Sequence, residues 1–360
     1  MAEQEIILEK KHELIDNLIR EARAKKASDI HISEGMPVWC RVNGRLSQAD
    51  NSLTAKQIRE MLLGMLTDRQ REEFYQGHDV DFSWETTGGC RQRVNIFCQQ
   101  KKMAATIRLL NQSIPTLEQL KIPTVLYDMA KEPRGIILVT GPTGSGKSTT
   151  LAAVIEHMNQ MYDRHIITIE DPIEYVYECK KSLIHQREIG QDVTNFASAL
   201  RSALREDPDV ILVGEMRDYE TISAALLAAE TGHLVLSTLH TTGAAQTVER
   251  IIDACPTEGQ NQVRIQLAGT LKGIISQCLI PCGGGMTRVA ATEVLTGTDA
   301  ILNLVREGKT HQMPAMMQSS AARGMHTLNM DLSRLIQQGY ITRDEAMMYT
   351  NNKAELGQYF

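Results

Sequence analysis

The sequence predicts an α/β protein: a large parallel sheet covered by helices on both sides, preceded by a smaller α+β module. Three observations carry that reading. Short, almost uninterrupted apolar stretches (GIILVTG, HIITIED, DVILVGE, HLVLSTLH) are separated by helical periodicity, and strands hydrophobic on both faces belong to parallel sheets buried on both sides. The first of these stretches runs straight into Gly141-Pro142-Thr143-Gly144-Ser145-Gly146-Lys147-Ser148, a full G-x-x-x-x-G-K-S, and Leu151, Val154, Ile155 and Met158 mark the helix leading out. The first ~110 residues alternate apolar and polar positions over short runs instead, as half-buried strands do.

In chain order, Leu14, Ile15, Leu18, Ile19 and Ala22 recur at helical spacing, after which SDIHIS and PVWCRV alternate. Asn43-Gly44 between two short apolar runs predicts a hairpin turn. Thr54 as N-cap, Gln57 closing a capping box and Leu53 stapling against Ile58 predict a helix with the stripe Ile58, Met61, Leu62, Met65, Leu66. Three strands follow on Val80/Phe82/Trp84, Val94/Ile96/Cys98 and Ala105/Ile107/Leu109; Arg91 and Arg93 share the other face of theirs, and Arg108 lies on the next. Residues 113–124, SIPTLEQLKIPT, hold two prolines and little periodicity, so they read as a linker between a domain over 1–112 and one over 125–360. The last part reads as mostly helical. Val263, Leu267, Leu271, Ile274 and Cys278 predict one helix, Ile301, Leu304 and Val305 another, and Thr342 with Glu345 caps a third.

Composition narrows the class. The 360 residues suffice for two domains with cores of their own. A net charge of −6 with 4 % aromatic residues disfavours nucleic-acid binding. Seven cysteines scattered along the chain form no disulfide framework and fit a reducing compartment. The aliphatic runs Ile136–Val139 and Val210–Val213 fall far short of the ~20 residues that span a bilayer, so direct membrane insertion is not expected and any membrane role passes through a partner.

The glycine loop carries the chemistry. Glycines let backbone N–H groups converge on phosphates, Lys147 reaches the β- and γ-phosphates, and the Ser148 hydroxyl binds Mg²⁺. Hydrolysis further needs a carboxylate to orient water and cationic charge at the γ-phosphate. Glu215, ending the strand Asp209–Gly214 where Gly214 occupies the usual Asp position, is the preferred base or Mg²⁺-shell ligand, with Glu174 and Glu170 next. His233 and His240 flank a buried strand seven residues apart, which argues against a shared metal. His240 is at the ligand-facing end. Cys278 and Cys282 lack the four ligands of a zinc site.

Together these motifs resemble the secretion ATPases of the type IV pilus and type II secretion superfamily, in particular the PilT-type pilus retraction ATPases. GPTGSGKSTT is similar to their Walker A, ITIEDPIEY to an acidic box, DPDVILVGEMRD to an atypical Walker B ending in Gly-Glu, and TGHLVLSTLHT to a His box. Ala300–Glu307 resembles the AIRNLIRE motif associated with retraction, with Leu302 where that motif has Arg; SDIHIS and VNGRL match the opening strand pair. The resemblance implies a homo-hexamer of two-domain subunits, each an N-terminal PAS-like α+β domain and a RecA-like P-loop ATPase domain with a helical C-terminal region. It implies ATP and Mg²⁺ bound between the domains, with Gly141 to Thr149 as the nucleotide seat and Ser148 and Glu215 at the metal. Glu215 is the catalytic carboxylate, and Arg93 and Arg108, with Arg91 less firmly matched, approach the phosphates. The implied partners are an inner-membrane pilus platform protein and a paralogous pilus ATPase, and the implied place is the cytosolic face of that membrane. The expected function is pilus retraction. The alternatives are an assembly, secretion or competence-pilus ATPase and a nucleotide-gated regulatory ring; the sequence shows no tetracysteine module such as extension relatives carry.

Overall fold

The structure, a computed structural model, describes residues 2–42, 44–49, 53–110, 113–282 and 287–360, with side chains from Glu13 onward. The chain divides into two compact units, Met1–Ser113 with Pro172–Val176, and Ile114–Asp171 with Tyr177–Phe360.

The first unit is a six-stranded antiparallel sheet: β1 (Ala27–Ser33), β2 (Trp39–Val42), β3 (Arg45–Gln48), β4 (Val80–Glu85), β5 (Arg91–Gln99) and β6 (Lys102–Leu109), in the order β3-β2-β1-β6-β5-β4. One face is apolar by alternation. Ile30, Ile32, Val94, Ile96 and Ile107 point into a core completed by Ile15 and Ile19 of the helix Ala2–Ala24 and by Ile58 and Leu62 of Ala55–Met65. The capping box forms: Thr54 accepts from the Gln57 amide and Gln57 Oε1 accepts from the Thr54 amide, while Leu53 packs in the same core as Ile58. In the hairpin between β2 and β3, Gly44 has φ +79°; Asn43 lies outside the described residues. Trp84 and Leu109 are only partly buried and Cys98 is exposed, so each of these three strands leaves the core at its far end.

The second unit is built on seven strands: β7 (Gly135–Thr140), β8 (His165–Glu170), β9 (Leu183–Glu188), β10 (Val210–Val213), β11 (Leu234–Leu239), β12 (Leu271–Cys282) and β13 (Thr287–Thr296), in the order β13-β12-β7-β11-β10-β8-β9. The four apolar stretches of the sequence are β7, β8, β10 and β11. They pair in parallel with every residue of β7, β10 and β11 buried, and helices cover both faces. Leu117 and Ile122 of the expected linker are buried in this unit's core, Leu117 on the short helix Leu117–Leu120 and Ile122 between it and the helix Val125–Met129.

One expected element is corrected. The helix read over Val263 to Cys278 stops at Thr270, and Leu271, Ile274 and Cys278 lie on β12, which pairs in parallel with β7 and antiparallel with β13. Apolar residues three and four apart satisfy a helix, but β12 is a strand buried on both faces, so its apolar positions follow no period of two. The two antiparallel strands extend the sheet beyond β7, and helices resume with Asp299–Glu307.

Candidate active site

The loop between β7 and the helix Lys147–Met161 is held in shape by its glycines and by β12. Gly141, Gly144 and Gly146 have φ of +142°, +79° and +89°, conformations that L side chains avoid. A Cβ on Gly141 would lie 2.1 Å from the Gln277 carbonyl oxygen and 2.7 Å from Ser145 Oγ, so only glycine lets the loop pass there. Gln277 braces the loop from behind. Its Nε2 donates to the Ser145 carbonyl at 2.7 Å, and its Oε1 accepts from the Thr150 hydroxyl at 2.9 Å.

Lys147 is 9 % exposed and folds back over the loop, its Nζ donating to the carbonyls of Gly141 (2.9 Å) and Pro142 (3.2 Å). No side chain caps the N-terminus of its helix, and the buried Ser145 hydroxyl has no hydrogen-bond partner. An unpaired polar atom, three glycines at positive φ, one of them with no room for a Cβ, and an uncapped helix start suit a polyphosphate.

Carboxylates gather at the same edge of the sheet, the C-terminal ends of the parallel strands. Glu215 follows Gly214, whose amide donates to the Ile169 carbonyl at 2.8 Å and whose added Cβ would stand 3.3 Å from that oxygen. Glycine in the usual Asp position thus lets β10 run close against β8. Thr238 Oγ1 donates to the Gly214 carbonyl (2.6 Å) and the Met216 amide to Thr238 (3.1 Å), so β11 fixes the backbone on both sides of Glu215. The Glu215 side chain is 17 % exposed, with Oε2 at 2.7 Å from Arg217 Nε and 3.4 Å from His240 Nε2. Glu170 ends β8, accepting from the Thr168 hydroxyl at 2.7 Å and from Gln186 Nε2 at 3.3 Å.

The structure therefore brings Glu215 and His240 together and adds Arg217, which sequence reasoning missed although it stands two residues beyond Glu215. Gln277 was missed because its strand read as a helix. His233 goes elsewhere: it sits beside the start of β11, at the edge of the sheet opposite the glycine loop, with Nδ1 3.0 Å from the Ala228 carbonyl. Glu174 lies in Pro172–Val176, which groups with the first unit. Arg93 and Arg108 are cross-strand neighbours in the first unit; Arg108 Nε is 3.1 Å from Asp29 Oδ1 and Arg93 Nε 3.9 Å from Asp81 Oδ1. Arg91 stands on the same strand as Arg93.

A glycine loop from a buried parallel strand into a helix N-terminus, with strand-end carboxylates on the same edge, defines a P-loop nucleotide-binding protein. The family follows from comparison: the chain belongs to the Type II/IV secretion system proteins, whose family model matches residues 4–358. It is 47 % identical over 348 residues to the "Type IV pilus retractation ATPase PilT" of Pseudomonas aeruginosa, covering 96 % of this chain and 99 % of that one. It is also 47 % identical over 317 residues to a "Twitching motility protein" of Neisseria gonorrhoeae, covering 88 % and 85 %. The solved structure of the pilus retraction motor PilT with bound ADP superposes with a TM-score of 0.89 at 46 % identity, over 96 % of this chain and 99 % of that one. The ATPase DotB of Legionella pneumophila gives 0.78 at 31 %, over 93 % and 94 %. Among the described residues no helix is long and apolar enough to cross a membrane.

Proposed function

We propose that this chain is the ATP-hydrolysing motor of type IV pilus retraction. The observation that carries the reading is the glycine loop and Lys147 at one edge of the parallel sheet, with Glu215 held on that same edge.

ATP is the substrate. Its phosphates lie along the loop amides from Gly141 to Thr149, and Lys147 exchanges the Gly141 and Pro142 carbonyls for the β- and γ-phosphate oxygens. Glu215 orients a water for in-line attack on the γ-phosphorus, and the bond to the β–γ bridging oxygen breaks to leave ADP and phosphate. Arg217 and His240, both against the Glu215 carboxylate, hold it in position. Ser148 and Glu215 would hold Mg²⁺, which neutralises charge on the phosphate oxygens. Arg93 and Arg108, ion-paired with Asp81 and Asp29 on the first unit, exchange those carboxylates for a phosphate as a ring of six copies cycles. Force passes to a membrane platform partner at the cytosolic face, since no helix of the described residues could span the bilayer itself.

Two measurements test this. Lys147→Ala and Glu215→Gln are expected to lower Mg²⁺-dependent ATP turnover by about 10²-fold or more, while Glu215→Gln still binds nucleotide; unchanged turnover in either variant overturns the site. A strain lacking the protein is expected to carry surplus fibres that do not retract. Absent fibres would assign the chain to assembly instead.

A further inference from the structure

The outer strand β9 and its neighbour β8 carry two imidazoles that nucleotide chemistry does not use. His165 opens β8, and His185 stands in β9, the last strand of the sheet. His165 Nε2 and His185 Nδ1 are 2.9 Å apart, with the ring planes at 89°.

The hydrogen on His165 is fixed by its surroundings. Its Nδ1 lies 2.9 Å from the Asp207 carbonyl oxygen; a carbonyl only accepts, so Nδ1 carries the hydrogen and Nε2 presents a lone pair. That back-bonding is how proteins orient metal-ligating histidines. Asp207 reaches this position in the left-handed region, φ +53°, uncommon for a residue with a side chain. The main chain of His165 is held too: its amide donates to Asp209 Oδ2 at 2.8 Å, and its carbonyl accepts from the Asp209 amide at 2.9 Å. His185 is exposed on the other side. It can move its own ring hydrogen to Nε2, turning Nδ1 into a second lone pair beside the first.

We propose that His165 Nε2 and His185 Nδ1 chelate a divalent transition-metal ion of the Ni²⁺ or Cu²⁺ class. Two metal–nitrogen bonds of about 2.05 Å at a right angle hold their nitrogens about 2.9 Å apart, whereas a tetrahedral centre needs about 3.3 Å. In the metal-free chain this 2.9 Å is a hydrogen bond, His185 Nδ1–H donating to His165 Nε2; once that hydrogen sits on Nε2 of His185, the same spacing suits the right-angled bite of square-planar or octahedral ions. Among the described residues no group of three or more His, Cys, Asp and Glu side chains could hold a metal, so water fills the remaining positions. The chelate clips the outermost strand to the sheet. On the same strand Gln186 donates to Glu170 at 3.3 Å, so the clip also steadies an acidic residue of the nucleotide edge.

The test is calorimetric titration of untagged, full-length protein with Ni²⁺, and of His185→Asn, whose exposed position leaves the fold intact. One strong site per chain is expected, weakened tenfold or more by His185→Asn. Amide exchange over residues 183–188 is expected to slow on adding Ni²⁺ in the parent protein and not in the variant. Equal Ni²⁺ affinity in the two proteins, or no Ni²⁺-dependent protection of β9 in the parent, overturns the proposal.

Discussion

Gln277 touches the glycine loop through its side-chain amide and its main-chain carbonyl and the helix that follows through its side-chain oxygen, and each contact meets a different residue. Gln277→Leu keeps the volume but leaves the Ser145 carbonyl and the Thr150 hydroxyl unpaired in a buried place, at about 1–3 kcal/mol for each group. We expect weaker ADP binding, by about tenfold, in a fluorescent-nucleotide titration, because the loop loses its backing before any phosphate is bound. His326 gives a pH prediction. Burial holds its pKa below the ordinary 6.5, so in the window between the two values the unfolded chain binds more protons than the folded one. Stability is therefore present above about 6.5 and is lost as pH falls through the lowered value. Urea midpoints of the parent protein should drop between pH 7 and pH 5, and His326→Phe should flatten that drop. The residues the sequence made legible here were those of local motifs, Gly141 to Thr149 and Glu215. Arg217 and Gln277 were not, since their roles depend on what lies beside them in space.

At the scale of elements, hydrophobic period identified every strand that stands alone between helices, and capping chemistry fixed two helix starts, at Thr54 and Thr342, to the residue. It failed on β12, where a strand buried on both faces repeats apolar residues at three and four. Glu293 on β13 shows what that hairpin adds. Its Oε1 accepts from the first amide of the helix Ala244–Asp253 at 2.7 Å, and its Oε2 from the first amide of the helix Leu328–Gln337 at 3.4 Å. Burial pushes the Glu293 carboxyl up, against the pull of those two amides. One side chain thus serves two helix N-termini, the first of them four residues past His240. Glu293→Ala is expected to cost about 2 kcal/mol in urea unfolding. In the helix Asp299–Glu307, Leu302 packs against the core of the second unit, while Asn303 and Arg306 stay exposed and bonded to each other. Leu302 at that place is therefore explained by burial, whatever the motif carries elsewhere.

At the scale of the molecule the chain builds two compact units, and its path passes between them at 113/114, 171/172 and 176/177. Nucleotide that binds only the folded protein adds RT ln(1 + [L]/Kd), about 2.7 kcal/mol at a hundredfold excess over Kd. ADP should accordingly raise the melting temperature of the parent and leave that of Lys147→Ala unmoved. The sequence by itself determined the class of fold, the glycine loop and the family. Those rest on strings of neighbouring residues, whose apolar period and glycine positions constrain the backbone before any distant contact is made. Only the tertiary structure decided that residues 271–282 are a strand, that Arg217 and His240 share the Glu215 carboxylate, that His233 lies at the far edge, and that His165 meets His185. The strand pairing of 271–282, the His240–Glu215 contact and the His165–His185 contact join segments distant along the chain, and strand register and side-chain contact across a sheet are set by packing, which no local pattern encodes.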